Sequence, residues 1–222
     1  MTKKTITTLE ADMTRLEADI RATAHMVTTD GDLTPEGRVN RHRNWGKDRK
    51  WNEQFDQIAT GITSALEGAQ AKADAARATM TTLPTGDAAL AQEMRMNRRM
   101  KRIEAALNAG GTGPLLDLIA TADDAELPFL LEHINDHHEA IGGDRANAGA
   151  QIVETALRDR NPDYAAAAKT AGAAGAALSI AREKLSYMRG LLDDPHTPPP
   201  GEWSHAAMSI TGVVPAVADL AA

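Results

Sequence analysis

"ITTLEADMTRLEADIRATAHMV", residues 6–27, decides how the chain is read. Ile6, Leu9, Met13, Leu16, Ile20 and Val27 recur at alternating spacings of three and four, with Thr23 in the remaining place, the pattern of a helix that buries one narrow seam against another helix. Glu10, Asp12, Glu17 and Asp19 flank that seam. A parallel copy of the same helix would set acid against acid, so a basic partner is expected. A basic stretch lies close by. Arg38, Arg41, Arg43, Lys47, Arg49 and Lys50 follow a turn at Asp30 and Gly31. Between the two comes a helix start, with Thr34 as N-cap, Pro35 at the first position and Glu36 complementing the positive end of the helix dipole. The spacing therefore predicts a coiled-coil-like antiparallel hairpin that folds back around residues 30–31. Ile6 is expected near Phe55, Leu9 near Trp51 or Asn52, and Leu16 near Trp45.

The second helix of this hairpin is expected to run to about Leu83. Its stripe of Trp51, Phe55, Ile58, Ile62, Ala65, Ala69, Ala73, Ala76 and Met80 has helical spacing, but Val39 and Trp45 fall elsewhere on the same wheel. A break near Gly46 is therefore expected. The far half overhangs the first helix and leaves residues 58–83 as an alanine-rich arm in search of another helix or another copy. Trp45, Trp51, Phe55, Ile58, Ile62 and Met80 are the expected interaction residues.

Composition points the same way. Of 222 residues only seven are aromatic, and alanine, a strong helix former and a poor filler of wide cores, dominates the apolar set. Closely spaced helices follow, and the nearest approach to a strand pattern, "SITGVV" at residues 209–214, is short. The absence of cysteine excludes disulfides, thiolate metal sites and a cysteine nucleophile, and fits a reducing compartment. No eighteen-residue apolar run occurs, so no membrane span is expected, and the expected location is the cytoplasm, or the virion if the chain is phage-encoded. Charge is segregated: residues 1–83 are balanced, residues 84–109 hold five bases against three acids, and residues 110–222 hold seven bases against sixteen acids.

After "LPTGD" at residues 83–87, a basic helix is expected over residues 87–108, with Leu90, Met94, Met100, Ile103 and Leu107 as its apolar face. "AGGTGP" at residues 109–114 marks a boundary. Shorter helices over residues 114–122, 124–141 and 144–159 precede a long one from Pro162 to Leu192, capped by Asn161. "HTPPPGEW", residues 196–203, reads as a stiff linker, and residues 204–222 as a docking tail or a disordered end. The expected organisation is a hairpin over residues 1–83, a connecting helix over 84–109, a smaller acidic helical bundle over 110–195 and a linker with tail over 196–222. The fold class is all-α and elongated.

Candidate chemistry is sparse. In "EHINDHHE", residues 132–139, His133 and His137 share a helix face with Glu132 and Asp136 close by, which suits a divalent metal. The zinc-peptidase pattern needs Glu directly after the first His, where Ile134 stands, and no third remote ligand is evident, so no metal and no cofactor are expected. "MRMNRRMKR", residues 94–102, could bind phosphates through Arg95, Arg98, Arg99 and Arg102, and Arg41, Arg43 and Arg49 form a second such set beside two tryptophans. Neither set is framed by a recognition motif. In "AAAAKTAGAAGAA", residues 165–177, Gly172 and Gly175 suggest close helix approach, since the phosphate-loop pattern is absent. No serine-nucleophile motif occurs.

"DLTPEGR", residues 32–38, set between a heptad helix and a long charged one, resembles segments of helical accessory and assembly proteins of tailed bacteriophages and other mobile elements of high-GC bacteria. The resemblance covers the N-terminal third and implies a virion-assembly or scaffold-like role with no catalytic residues. The expected function is therefore a non-enzymatic assembly or interaction protein that self-associates through residues 58–83. The alternative is a nucleic-acid-binding regulator or host-defence modulator.

Overall fold

The computed structural model describes residues 3–83, 85–108, 112–141, 144–198 and 209–222. It is all-α: among the described residues the helices are accompanied by a single isolated antiparallel bridge, Thr5 to Ala221. The chain divides into two compact units, residues 1–71 with 169–222, and residues 72–168. These are not the boundaries expected at 83, 109 and 195. α3 and α8, expected in separate domains, each supply residues to both units, because each unit needs apolar faces from distant parts of the chain.

The first unit is built on α1 (Ile6–Thr29), α2 (Pro35–Asp48), the start of α3 (Trp51–Thr81), the end of α8 (Pro162–Asp193) and the short α9 (Ile210–Val213). Every position of the α1 seam is buried, Thr23 included. Thr5 caps α1 by accepting from the Thr8 amide, and Thr34 caps α2 by accepting from that of Gly37. The second helix of the hairpin is not continuous, and its break falls after Gly46. Arg49 closes α2 and Lys50 adopts φ 55°, a left-handed conformation that stops a helix. Gly46 remains inside α2 for a packing reason: a Cβ there would stand 2.7 Å from Cε3 of Trp51, whose ring folds back over the last turn of α2. The redirection at Lys50 is why Val39 and Trp45 do not share a wheel with the Trp51 stripe.

That extra turn also moves the register. Leu9 faces Gly61 rather than Trp51 or Asn52, with its methyls 3.0 and 3.1 Å from where a Cβ would stand. The Trp51 indole donates to Asp19, 2.7 Å away, instead of packing near Leu9. The arm is not bare either. Ile58, Ile62, Ala65, Leu66 and Ala69 share one core with Ala174, Ala177 and Ala181 of α8, so the chain covers its own alanine stripe. The alanines make that approach; Gly172 and Gly175 face open space.

The second unit holds the end of α3, α4 (Asp87–Asn108), α5 (Thr112–Thr121), α6 (Leu127–Ile141), α7 (Asp144–Arg160) and the start of α8. Its core gathers Ile103, Leu115, Ile119, Leu127, Leu130, Leu131, Ile134, Val153, Leu157 and Tyr164, with Ala76 and Met80 partly buried against it. The turn into α6 is a reciprocal cap. Asp123 accepts from the amides of Ala125 and Glu126, and the Glu126 carboxylate reaches back to the Asp123 amide. Arg160, at the end of α7, donates to the Ile119 and Ala122 carbonyls and pairs with Asp124. Asn161 caps α8 by accepting from the amides of Asp163 and Tyr164.

Candidate functional site: a basic helix with an exposed apolar pair

The two arginine-rich stretches meet different surroundings. In the first, Arg38 donates to the Asp30 carbonyl and Arg41 pairs with the Asp30 carboxylate at 3.0 Å. The Arg41 guanidinium also lies 5.2 Å from the centroid of the half-buried Trp45 ring. Arg43 donates to the Asp193 carbonyl, and Arg49 pairs with Asp19. Beside them His42, fully buried, lies 2.8 Å by Nε2 from the Leu191 carbonyl and stacks at a tilt on Trp51, ring centroids 5.1 Å apart. Burial holds its pKa below the usual histidine value; the Leu191 bond and Asp194 pull against it, and Arg43 adds a smaller push downward. In the neutral ring Nε2 donates, so α2 supplies His42 and Arg43 as donors to carbonyls at the C-terminal end of α8. This docking was not expected from sequence, where His42 is one polar residue among bases and only its spacing of four from Gly46 marks a buried face.

The acid flank of α1 is answered differently from expectation. Among the described residues only Asp19 of this flank pairs with the second helix's bases. Asp12 pairs with Lys4 and Arg15, and Glu17 with Arg21. Glu10, 8% exposed, accepts from residues 210 and 211. Local bases reach these carboxylates at less conformational cost than residues across the register shift, so pairing followed proximity.

The second stretch lies on α4, and there one cation is paired while three are exposed. Arg99 pairs with Glu126 at 2.6 Å, but Arg95, Lys101 and Arg102 are exposed and make no ion pair among the described residues. The expected apolar face of α4 divides. Ile103 is buried, whereas Leu90 is 61% and Met94 56% exposed. At about 3.6 residues per turn Leu90 and Met94 fall on the side of the helix opposite Ile103. The side chains of Arg98, Met100 and Leu107 lie outside the described residues. Alongside α4 runs an open groove of about 740 Å³ lined by Arg99, Arg102, Ala105, Pro114, Asp117, Leu118 and Thr121.

The remaining candidates do not converge. Trp51, Phe55, Ile58 and Ile62 are core residues, and Met80 packs against the second unit's core, so they are unavailable as a free interaction surface. His133 and His137 are half-buried on α6, and no group of three His, Asp or Glu able to hold a metal occurs among the described residues. Tyr164 donates to Glu154, 2.8 Å from either oxygen; burial first and that carboxylate second raise its pKa, which suits a packing anchor. No family model matches the chain, and neither a curated protein nor a solved structure does. No helix among the described residues is long and apolar enough to cross a membrane. What α4 presents is an exposed apolar pair with exposed cations on the same helix.

Proposed function

We propose that this chain is a non-enzymatic interaction protein that associates with further copies of itself, the basic α4 of one copy lying against the acid-rich residues 110–222 of the next. The supporting observation is the exposure of Leu90 and Met94 on a helix whose Arg95, Lys101 and Arg102 make no ion pair among the described residues. Large apolar side chains elsewhere in both units are mostly inside cores, and a paired apolar exposure flanked by charge is characteristic of an interaction surface. Segregated charge favours head-to-tail orientation over like-with-like contact. With the arm covered by α8 from Ile58 to Ala69, α4 takes its place in this reading. The resemblance of "DLTPEGR" extends the proposal to particle assembly in tailed phages or related elements, with the host cytoplasm or the virion as location. Sedimentation velocity over a range of protein and salt concentrations tests it. Association that weakens with salt and is lost in Leu90→Glu/Met94→Glu is expected; a monomer under all conditions overturns it.

The nucleic-acid reading rests on the same free cations. It expects salt-sensitive retention of a fluorescent oligonucleotide, weakened when Arg95, Lys101 and Arg102 become Ala. Absence of retention at low salt removes it.

A further inference from the structure

Residues 209–222 return to the start of α1, and their contacts have the form of a plug in a socket. The buried Glu10 carboxylate accepts from the Ile210 amide at 2.7 Å, the Thr211 amide at 3.0 Å and the Thr211 hydroxyl at 2.5 Å. Ile210 and Val217 are fully buried in the core that holds Ile6 and Leu9, with Val214 and Leu220 packed around them. The Ile6 amide donates to the Leu220 carbonyl and the Thr7 amide to that of Ala218, while the Ala222 amide donates to the Lys4 carbonyl. Those of Ile6 and Thr7 are first-turn amides of α1, which a helix leaves without internal acceptors. The socket is therefore incomplete without the plug in three respects: amides, a buried carboxylate and an apolar seat.

We propose that the socket also accepts the 209–222 segment of a second copy, reciprocal exchange closing a two-fold pair. The occupant is argued from the match itself. Every group the socket leaves open is answered by this sequence, and none of the contacts requires both partners to belong to one chain. Residues 194–208, which join plug to α8, include Pro195, Pro198, Pro199 and Pro200. A connection of that length sets the effective concentration of the chain's own plug at roughly millimolar, so exchange is a property of crowded copies. The inference rests on the self-association reading and supplies it with a second, independent contact.

The chain contains no cysteine, which makes the test direct. Thr5 and Ala221 face each other across the antiparallel bridge, where Cα atoms stand roughly 4.5–5.5 Å apart, within disulfide reach. The single variants Thr5→Cys and Ala221→Cys, one of them isotopically heavy, are mixed over a range of concentrations, warmed, cooled and oxidised. A disulfide joining one heavy and one light chain, its fraction growing with concentration and lost when Glu10→Gln is added to the Thr5→Cys chain, is expected. The double variant Thr5→Cys/Ala221→Cys closing its own ring while the mixture yields no heavy–light product at any concentration overturns the exchange. Repeating the mixture with Leu90→Glu/Met94→Glu in both chains separates the two ideas. Cross-linking that survives while sedimentation shows loss of the α4 contact leaves exchange standing alone.

Discussion

α2 and α4 carry comparable runs of arginine and lysine, and they have opposite fates. On α2, Arg38 and Arg41 turn to Asp30, Arg43 reaches the end of α8, and Arg49 reaches Asp19. On α4, Arg95, Lys101 and Arg102 face outward beside Leu90 and Met94. The difference teaches that a basic run stays open to solvent only where the fold leaves it without acceptors. α2 sits next to a turn, a helix C-terminus and an acidic helix; among the described residues the outward side of α4 pairs with none of these.

The sharpest way to break the comparison is to remove what anchors α2. Trp51 is 1% exposed, packs over Gly46 and His42 and bonds Asp19, so Trp51→Ala is expected to cost about 3–5 kcal/mol, read as a lowered denaturation midpoint. An unchanged midpoint would mean that α2 is held by its charges alone. Acid is the next lever. Above about pH 6.5 the His42 ring is neutral in folded and unfolded chains alike. Below it the unfolded chain takes up a proton that the buried ring resists, so stability falls as pH drops through 6.5 and continues to fall until the folded pKa is reached. Protonation would leave Nδ1, buried without a partner, carrying a hydrogen with no acceptor. Thermal melts at pH 7.5 and 5.5 should show this loss, and His42→Gln should flatten it.

Smaller effects separate the two helices one residue at a time. Arg43→Ala removes the donor to the Asp193 carbonyl and should cost about 1 kcal/mol. Arg102→Ala on α4 removes no hydrogen bond or ion pair among the described residues and should leave stability within about 0.5 kcal/mol while weakening association. If the two substitutions destabilise equally, the contrast between the helices fails.

Much of this was legible in the sequence. The α1 seam, the Thr34–Pro35 helix start, the Asn161 cap and the span of α4 follow from rules that act within a few residues, and each stands where its residues place it. The register of the hairpin was not legible, because it turns on Lys50 adopting a left-handed conformation so that Trp51 can lie on Gly46. Nor was Glu10 legible as the seat of residues 210 and 211, since its position on the acid flank gives no sign of a partner two hundred residues away.

Sequence by itself determined that this chain is helical, where most helices begin, and which side of α1 is apolar, for these depend on local spacing and backbone chemistry. Tertiary structure alone decided which apolar stripe would be covered and which arginines would be left free. An alanine stripe or a cation is satisfied by whatever surface arrives within a few ångströms, and that surface comes from distant parts of the chain.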